Sequence, residues 1–287
     1  MALSAGKSLA ALPAEKEVLA VLHAALDAGA ELIDTADTYG LACGDMGHNE
    51  RLVGKALRGR RVMVATKGGV LHGDGSRRAN GSAAAIREAC EASLRRLGLE
   101  AIPLYQLHGI DRAVPLEETA GVLADLRREG KILHVGLSNV HVPDVEAVRA
   151  VVPVVSVQNR CSVLDRSSLQ LGIVAFCEAE GIAFIACAPV GGRRRMSEVA
   201  VHPVLGEIGS RHGATPFQVA LAWLLAQSPA IVPIPGGRRV ESVTSSAAAA
   251  NLQLGADDLA ALNRAFPTGS IAPEWPAATA ADRPQKP

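Results

Sequence analysis

One short segment of the chain combines an acid, a phenol and a tight turn. Asp34 ends an apolar run, and Tyr39 follows five residues later, directly before a glycine. Tyrosine is scarce in this protein, since Tyr39 and Tyr105 are the only two among 287 residues. A carboxylate and a phenol are both groups that can move a proton to or from a reacting oxygen. The segment therefore indicates acid–base chemistry rather than packing.

Two further polar residues, Lys67 and His108, stand at the ends of the next two long apolar runs. A phenol has an ordinary pKa of about 10 and donates protons poorly at neutral pH unless a neighbour stabilises the phenolate. A lysine cation provides that stabilisation, and Asp34 is the counter-ion that a buried Lys67 requires. We therefore predict that Lys67 lowers the pKa of Tyr39, and that His108 orients a substrate oxygen or shares the proton. These groups suit protonation of a carbonyl oxygen as a hydride reaches the carbon.

Short apolar runs alternate with helical patterns along the chain. Most of the runs are unbroken, which is typical of strands buried on both faces of a parallel sheet. They cover residues 31–34, 62–67, 102–108, 134–139, 154–158, 182–189 and 231–235. Repeated strand–helix units of this number predict an α/β fold, a (β/α)8 TIM barrel. No G-x-G-x-x-G motif follows a predicted strand, which counts against a doubly wound sheet.

Capping residues mark several helix ends. Gly29 and Gly98 close two amphipathic patterns, as glycine commonly does at the C-terminus of a helix. At residues 215–218, a Thr precedes Pro, Phe and Gln. This order predicts a Thr N-cap, a Pro at the first helical position and a Gln that completes a capping box.

The carboxyl ends of the strands form the active-site rim of a TIM barrel. Read in chain order, these ends carry polar or small residues that would meet at one rim: Asp34, Lys67, His108, Ser138, Asn139, Gln158, Cys187, Pro235, Gly236 and Gly237. Random placement of polar residues seldom gives such an arrangement. The predicted site depends on this convergence rather than on any single residue.

Composition limits the classes of protein that fit. The chain has 48% hydrophobic and 20% charged residues, which suits one large soluble domain. Its formal net charge is +0, so neither a nucleic acid nor an anionic membrane is indicated as a partner. Five scattered cysteines without a C-x-x-C pair predict reduced thiols, a cytoplasmic location and no metal site. We predict one barrel domain over residues 1–271 and a Pro/Ala-rich, poorly ordered tail over residues 272–287.

Several segments resemble the aldo-keto reductase superfamily, and they occur in the order that the family has. They are residues 32–40, 62–67, 104–108, 135–139, 157–160 and 234–239. The resemblance implies a TIM barrel that uses NADPH (NADP) to reduce an aldehyde or ketone, with a small carbonyl compound as substrate. It also implies a catalytic tetrad with Tyr39 as proton donor, made of Asp34, Tyr39, Lys67 and His108.

The same resemblance implies a set of cofactor-binding positions: Ser138, Asn139, Gln158, Cys187, Gly236, Gly237, Arg238 and Arg239. The first three match positions that hold the nicotinamide carboxamide. The last four match the loop around the 2′-phosphate, where a basic side chain favours NADPH over NADH. Cys187 stands where the family commonly has an aromatic ring stacked on the nicotinamide. The absence of this ring predicts that the bound cofactor loses about 1 kcal/mol of stacking free energy.

Two departures from the family pattern leave alternatives open. Family members usually begin with a strand that carries a Gly-x-Gly-x-Met-like motif, whereas Met1 aligns with the end of that motif. We therefore expect the first barrel strand to be absent, because the start is assigned too late or because the barrel has seven strands. Ser245 and Ser246 replace an acid and an Asn that usually hold the adenine. These departures support a second hypothesis, a non-catalytic or regulatory NADP(H)-binding subunit; a third is an aldolase with Lys67 as Schiff base.

Overall fold

Strands and helices alternate along the chain as the apolar pattern predicts. The computed structural model describes residues 14–40, 46–73 and 76–267. Its strands are β1 (Leu32–Asp34), β2 (Met63–Gly68), β3 (Val70–Gly73), β4 (Ser76–Ala79), β5 (Ile102–Leu107), β6 (Ile132–Ser138), β7 (Val154–Arg160), β8 (Ala183–Cys187) and β9 (Ile231–Pro233). The seven predicted runs correspond to β1, β2 and β5–β9. These predictions are confirmed, with differences of a few residues at the ends.

The helices occupy the intervals between the strands. They are α1 (Glu15–Asp27), α2 (His48–Ala56), α3 (Ala83–Leu97), α4 (Leu116–Arg128), α5 (Val142–Arg149), α6 (Ser167–Gln170), α7 (Ile173–Ala179), α8 (Gly192–Val201), α9 (Pro203–His212), α10 (Pro216–Leu225), α11 (Val240–Ala248) and α12 (Ala256–Ala265). Within the described ranges, no helix is both long and apolar enough to cross a membrane.

Seven of the strands form one parallel sheet in the order β1-β2-β5-β6-β7-β8-β9. The order follows the chain because each helical connection returns the backbone to the same end of the sheet. The register places Lys67 opposite Gln106, and Ser138 opposite Gln158. The carboxyl ends of neighbouring strands therefore lie at one level, which brings their polar residues to a common rim.

This curled parallel sheet, with helices on its outer face, has the predicted (β/α)8 TIM-barrel fold. Among the described residues, β1 and β9 are the two edges of the sheet and are not paired with each other. Outside this gap, α1 packs against α11. The prediction of a missing first strand concerns residues 1–13, and the predicted tail covers residues 272–287; both lie outside the described residues.

Side-chain alternation divides the core into two layers. The large outer layer packs the sheet on the helices and includes the buried rings of Tyr105 and Phe184. A small inner cluster contains Ala65, Leu104 and Ile185. Successive side chains of a strand point to opposite faces, so residues two positions further along each strand also face inward. The polar rim therefore lies directly above a small apolar layer.

The predicted helix caps are confirmed. Gly29 follows α1 with a φ of +94°, and Gly98 caps α3 with a φ of +69°, backbone angles that glycine adopts without strain. The Thr215 Oγ1 accepts a hydrogen bond from the Gln218 backbone N–H at 3.2 Å. In return, the Gln218 Oε1 accepts one from the Thr215 N–H at 2.8 Å. These caps fix where helices of the outer ring begin and end.

One element was not predicted. Strands β3 and β4 form an antiparallel hairpin between β2 and α3. Its residues are glycine-rich and charged, so they lack the apolar pattern by which the other strands are recognised. Because the hairpin starts just after the carboxyl end of β2, it lies beside the rim that carries Lys67.

Candidate active site

A buried ion pair lies at the carboxyl ends of β1 and β2. The Lys67 Nζ is 2.7 Å and 2.6 Å from the two Oδ atoms of Asp34, and 2.8 Å from the carbonyl oxygen of Thr35. Lys67 is fully buried, and Asp34 is 6% exposed. Burial alone would lower the pKa of Lys67, but Asp34 and then Tyr39 raise it above its ordinary value. The lysine is therefore a fixed cation.

Two amides from neighbouring strands hold Asp34 in place. The Gln158 Nε2 donates to Asp34 Oδ1 at 2.8 Å, and the Gln106 Nε2 donates to the same oxygen at 3.2 Å. Gln158, a predicted carboxamide-binding residue, thus uses its side-chain N–H group to hold the ion pair. Gln106 was missed by the sequence reasoning. Its position two residues before His108, on the inward face of β5, was the available signal.

Tyr39 lies on the loop after β1, beside the ion pair. The Lys67 Nζ is 5.0 Å from the centre of the phenol ring. The His108 ring is 5.9 Å away and meets the phenol edge-on, at 77°. Burial raises the pKa of Tyr39 above its ordinary value of 10.0, and Lys67 offsets only part of this rise. Lys67 thus lowers the pKa of Tyr39, as predicted, but burial of the phenol outweighs the nearby cation and makes the net direction upward. Tyr39 is consequently protonated at neutral pH.

His108 completes the group from the end of β5. Its Nδ1 is 3.4 Å from the Thr38 Oγ1, which belongs to the loop that carries Tyr39. The Asn139 Nδ2 donates to the His108 carbonyl oxygen at 2.9 Å and fixes the backbone there. The structure thus brings the four predicted catalytic residues together from three strand ends and one loop.

Ser138 and Asn139 lie at the next strand end and hold each other. The Asn139 Nδ2 donates to the Ser138 Oγ at 3.1 Å, and the Asn139 backbone N–H donates to the Gln158 carbonyl at 3.0 Å. The φ of Asn139 is +58°, and that of Ala188, just after β8, is +52°. Non-glycine residues seldom adopt these angles, and such strain concentrates at functional sites. Asn139 belongs to the predicted rim, and Ala188 directly follows the rim residue Cys187.

Cys187 ends β8 close to the ion pair. Burial raises the pKa of its thiol to about 11, although Lys67 and Arg160 offset part of the rise. Burial likewise raises the pKa of Cys161 to about 12. Both thiols are therefore protonated and poorly nucleophilic at neutral pH. The described cysteines are free thiols, and in the part of the chain that the structure covers no cluster of His, Cys, Asp or Glu is arranged to hold a metal.

The predicted phosphate loop follows β9. A Cβ on the buried Gly237 would clash with the Val243 Cγ1, so only glycine allows this loop to approach α11 so closely. Gly236, Arg238 and Arg239 are exposed, and Arg239 is the N-cap residue of α11. A helix N-terminus carries unsatisfied N–H groups and a partial positive charge. Two guanidinium groups beside it make this end of the rim suitable for an anion such as a phosphate.

A second polar cluster, which the sequence reasoning missed, lies behind the Tyr39 loop; we call it the Asp37 cluster. Glu50 is fully buried and accepts hydrogen bonds at 2.6 Å from the Arg96 Nε and at 2.6 Å from the Thr66 Oγ1. Asp37 is 4% exposed, and its Oδ1 has no hydrogen-bond partner among the described residues. Burial, then Glu50, raises the pKa of Asp37 to about 7, against the opposing effects of a backbone N–H, Arg96 and Lys67.

Other proteins are similar in sequence to this chain along most of its length. The family model described as "Aldo/keto reductase family" matches residues 7–266. A probable aldo-keto reductase 1 of Glycine max is 32% identical over 288 residues, which cover 90% of this chain and 82% of that protein. An uncharacterized oxidoreductase of Schizosaccharomyces pombe is 34% identical over 256 residues, which cover 88% of this chain and 80% of that protein.

A solved structure gives the same result. The crystal structure of an aldo/keto reductase from Klebsiella pneumoniae, in complex with NADP and acetate, has a TM-score of 0.80 and 28% identity to this chain. The similarity covers 94% of this chain and 90% of that one. The extent of these matches and the parallel barrel sheet lead to one assignment. This chain belongs to the aldo/keto reductase family of oxidoreductases.

Proposed function

We propose that this protein reduces a small aldehyde or ketone to an alcohol, with NADPH as the hydride donor and Tyr39 as the proton donor. The observation that carries the proposal is a protonated phenol held between a buried lysine cation and a histidine ring at the barrel rim. NADPH, when bound, supplies the hydride that reaches the carbonyl carbon. The carbonyl oxygen gains negative charge as this happens, and the Tyr39 hydroxyl donates its proton to it.

Each remaining member of the tetrad acts on that proton transfer. The Lys67 ammonium stabilises the phenolate that Tyr39 leaves behind, and its effect is large because the group is buried away from water. Asp34 keeps the ammonium in place through contacts to both of its oxygens. We assign His108 the orientation of the substrate oxygen, since its ring faces the phenol edge-on.

The predicted cofactor positions fit NADPH in two places. At the rim, Ser138 and Asn139 form a rigid polar pair suited to the carboxamide group. After β9, a loop that packs closely against α11 at Gly237 carries two exposed arginines, whose positive charge suits the 2′-phosphate. We propose the following residues as the cofactor site: Ser138, Asn139, Gln158, Cys187, Gly236, Gly237, Arg238 and Arg239. We further propose a cytoplasmic location, because the scattered cysteines predict reduced thiols.

Two measurements test the proposed function. We expect the purified protein to quench or enhance NADPH fluorescence on binding, and to consume NADPH when aldehydes or ketones are added, with the alcohol as product. Binding without turnover across a broad carbonyl panel would favour the non-catalytic NADP(H)-binding subunit. Failure to bind NADPH would contradict both hypotheses.

The aldolase hypothesis fits the site poorly. A Schiff-base lysine must be a neutral amine to attack a carbonyl, whereas the pKa of Lys67 is raised above its ordinary value. Its ammonium is also enclosed by three oxygen atoms, two from Asp34 and one from Thr35. Borohydride treatment with a carbonyl compound is therefore expected to leave Lys67 unmodified.

We predict that replacing both Arg238 and Arg239 with Ala weakens NADPH binding by about 10-fold or more, and changes NADH binding little. The reason is that hydrogen bonds to a charged group contribute about 1.5–3 kcal/mol each, and only NADPH has the 2′-phosphate. Fluorescence titrations with both nucleotides measure the effect. Arg264→Ala, at an exposed position on α12, serves as the control. An equal loss for NADPH and NADH would contradict the assignment.

A further inference from the structure

The Asp37 cluster contains a carboxyl group for which the proposed reaction has no use. The Asp37 side chain is buried, and its Oδ1 lacks a hydrogen-bond partner among the described residues. Its backbone N–H donates to the Lys67 carbonyl at 3.2 Å, and its carbonyl accepts from the Gly47 N–H at 2.6 Å. Asp37 thus belongs to the same loop as Tyr39 and is tied to the strand that carries the catalytic lysine.

The cations near Asp37 are already paired. Glu50 on α2, Arg96 on α3 and Lys67 on β2 all interact electrostatically with its carboxyl group. Arg96 is bound to Glu50 at 2.6 Å, and Lys67 is bound to the carboxylate of Asp34 at 2.6 Å. An ionised Asp37 therefore adds a negative charge for which no unshared cation remains among these groups.

The neighbouring phenol does not supply a counter-charge for ionised Asp37 either. The phenol of Tyr105 on β5 also faces Asp37, and its own pKa lies well above the ordinary value because it is buried. Tyr105 is consequently neutral at any pH of interest. A buried carboxylate without a counter-ion is costly, and such a group commonly takes up a proton instead. The Asp37 side chain is placed to change between two charge states close to the reacting groups.

We propose that Asp37 is a positioning residue that acts through Lys67, such that carbonyl reduction is fast with Asp37 protonated and slower with Asp37 ionised. This inference rests on the proposed reductase function. The physical reason is that the negative charge of an ionised Asp37 partly cancels the electrostatic effect of the Lys67 cation on Tyr39. That cation must stabilise the phenolate that forms when Tyr39 gives up its proton, so a second carboxylate nearby makes the phenol a weaker acid.

The pH dependence of turnover tests the proposal. In the wild type, kcat is expected to fall about threefold or more to a lower plateau as pH rises through about 7, where Asp37 loses its proton. Asp37→Asn retains the shape and neutral charge of the protonated acid, and we expect it to keep the higher kcat throughout. An inflection that survives in Asp37→Asn would assign the titration to another group, such as His108, and would overturn the inference.

A second variant tests the same point by moving the inflection rather than removing it. Glu50→Gln deletes the carboxylate that now occupies Arg96, so that Arg96 stabilises ionised Asp37 instead. The midpoint of the kcat profile is then expected to shift to lower pH by about one unit or more. Asp125→Asn, at an exposed ion pair on α4, is the control and leaves the midpoint unchanged. An unchanged midpoint in Glu50→Gln would contradict the proposed coupling.

A readout without activity separates this inference from the proposed function. Because the chain has only two tyrosines, the ¹³Cζ resonance of Tyr39 can be assigned by its loss in Tyr39→Phe. We expect it to shift with pH through the neutral range in the wild type and to stay constant in Asp37→Asn. A wild-type resonance that does not move overturns the inference even in an active reductase. A moving resonance in a protein that reduces no carbonyl compound would overturn the proposed function alone.

Stability gives a further independent check of the charge change. The pKa of Asp37 rises on folding from an ordinary value of 3.8 to about 7, so the folded protein binds this proton more tightly than the unfolded chain. The resulting stabilisation is complete below the ordinary pKa and is lost as pH rises through about 7. Urea denaturation should therefore show that the wild type loses stability relative to Asp37→Asn over this range. A constant difference between the two would contradict the proposal.

Discussion

Tyr39→Phe is expected to lower the turnover of carbonyl reduction by about 100-fold or more, with the fold and NADPH binding unchanged. The variant removes the proton that Tyr39 is proposed to donate to the reacting oxygen and leaves the ring in place. Burial raises the pKa of the phenol, with Lys67 offsetting part of the rise, so Tyr39 itself is in its donor form at neutral pH. Steady-state kinetics with NADPH and a carbonyl substrate measure the loss.

The second tyrosine provides the matched control. Tyr105 is fully buried on the outer side of β5, and its hydroxyl lies 3.5 Å from the Ile86 carbonyl oxygen. Tyr105→Phe also deletes one phenolic hydroxyl, but at a site where no substrate can reach it. We expect turnover to stay within about threefold of the wild type. Comparable losses in the two variants would mean that Tyr39 acts through the fold, and near-normal reduction by Tyr39→Phe would refute its role.

Lys67→Met should be the most destabilising of these substitutions, by about 3–5 kcal/mol in the free energy of unfolding, and should also abolish turnover. The reason is that Asp34 would remain buried without its cation. Its two amide donors, Gln106 and Gln158, supply hydrogen bonds but no charge. Denaturant unfolding followed by circular dichroism measures the stability, and the carbonyl reduction assay measures the activity.

An exposed pair of the same type serves as its control. Lys55 Nζ lies 2.7 Å from a carboxylate oxygen of Glu15, with side chains 46% and 52% exposed. Lys55→Met is expected to cost less than about 1 kcal/mol, because water screens the pair. Adding Asp34→Asn to Lys67→Met should recover part of the lost stability, since no unpaired charge then remains buried. A cost for Lys67→Met no greater than for Lys55→Met would show that the buried pair contributes little to stability.

The strands of the barrel could be predicted because a strand buried on both faces has an unbroken run of apolar residues. The runs at residues 62–67 and 154–158 contain almost no polar interruption, and both became strands of the parallel sheet. The β3–β4 hairpin escaped prediction because its sequence is rich in glycine and charged residues and lacks an unbroken apolar run. The contact between α1 and α11 could not be foreseen either, since it depends on how far the sheet curls.

The candidate site was predictable to the extent that strand ends meet at one rim. Lys67 and His108 were placed correctly relative to Asp34 because parallel strands in register deliver their last residues to the same level. The lowering effect of Lys67 on the pKa of Tyr39 was predicted, whereas the larger, opposing effect of burial was not, because it depends on how deeply the loop is buried. The Asp37 cluster was missed because its members come from a loop and two helices. Which side of each helix faces the sheet is set by packing, and the sequence pattern did not show that these side chains meet.

Within the described residues, the curled sheet is open between β1 and β9, and the packing of α1 on α11 joins its two sides there; we call this place the seam. Elsewhere, separating neighbouring units means breaking a ladder of backbone hydrogen bonds, whereas in the described chain the two units at the seam are joined by helix packing. Local unfolding starts where the fewest interactions must be lost. The strand that ends in Asp34 lies on one side of this seam, and the strand that leads to Arg238 lies on the other. Local opening at the seam would therefore change the distance between the proposed proton-transfer site and the proposed phosphate loop. The local stability of the sheet edges is thereby linked to how tightly a long nucleotide would be bound.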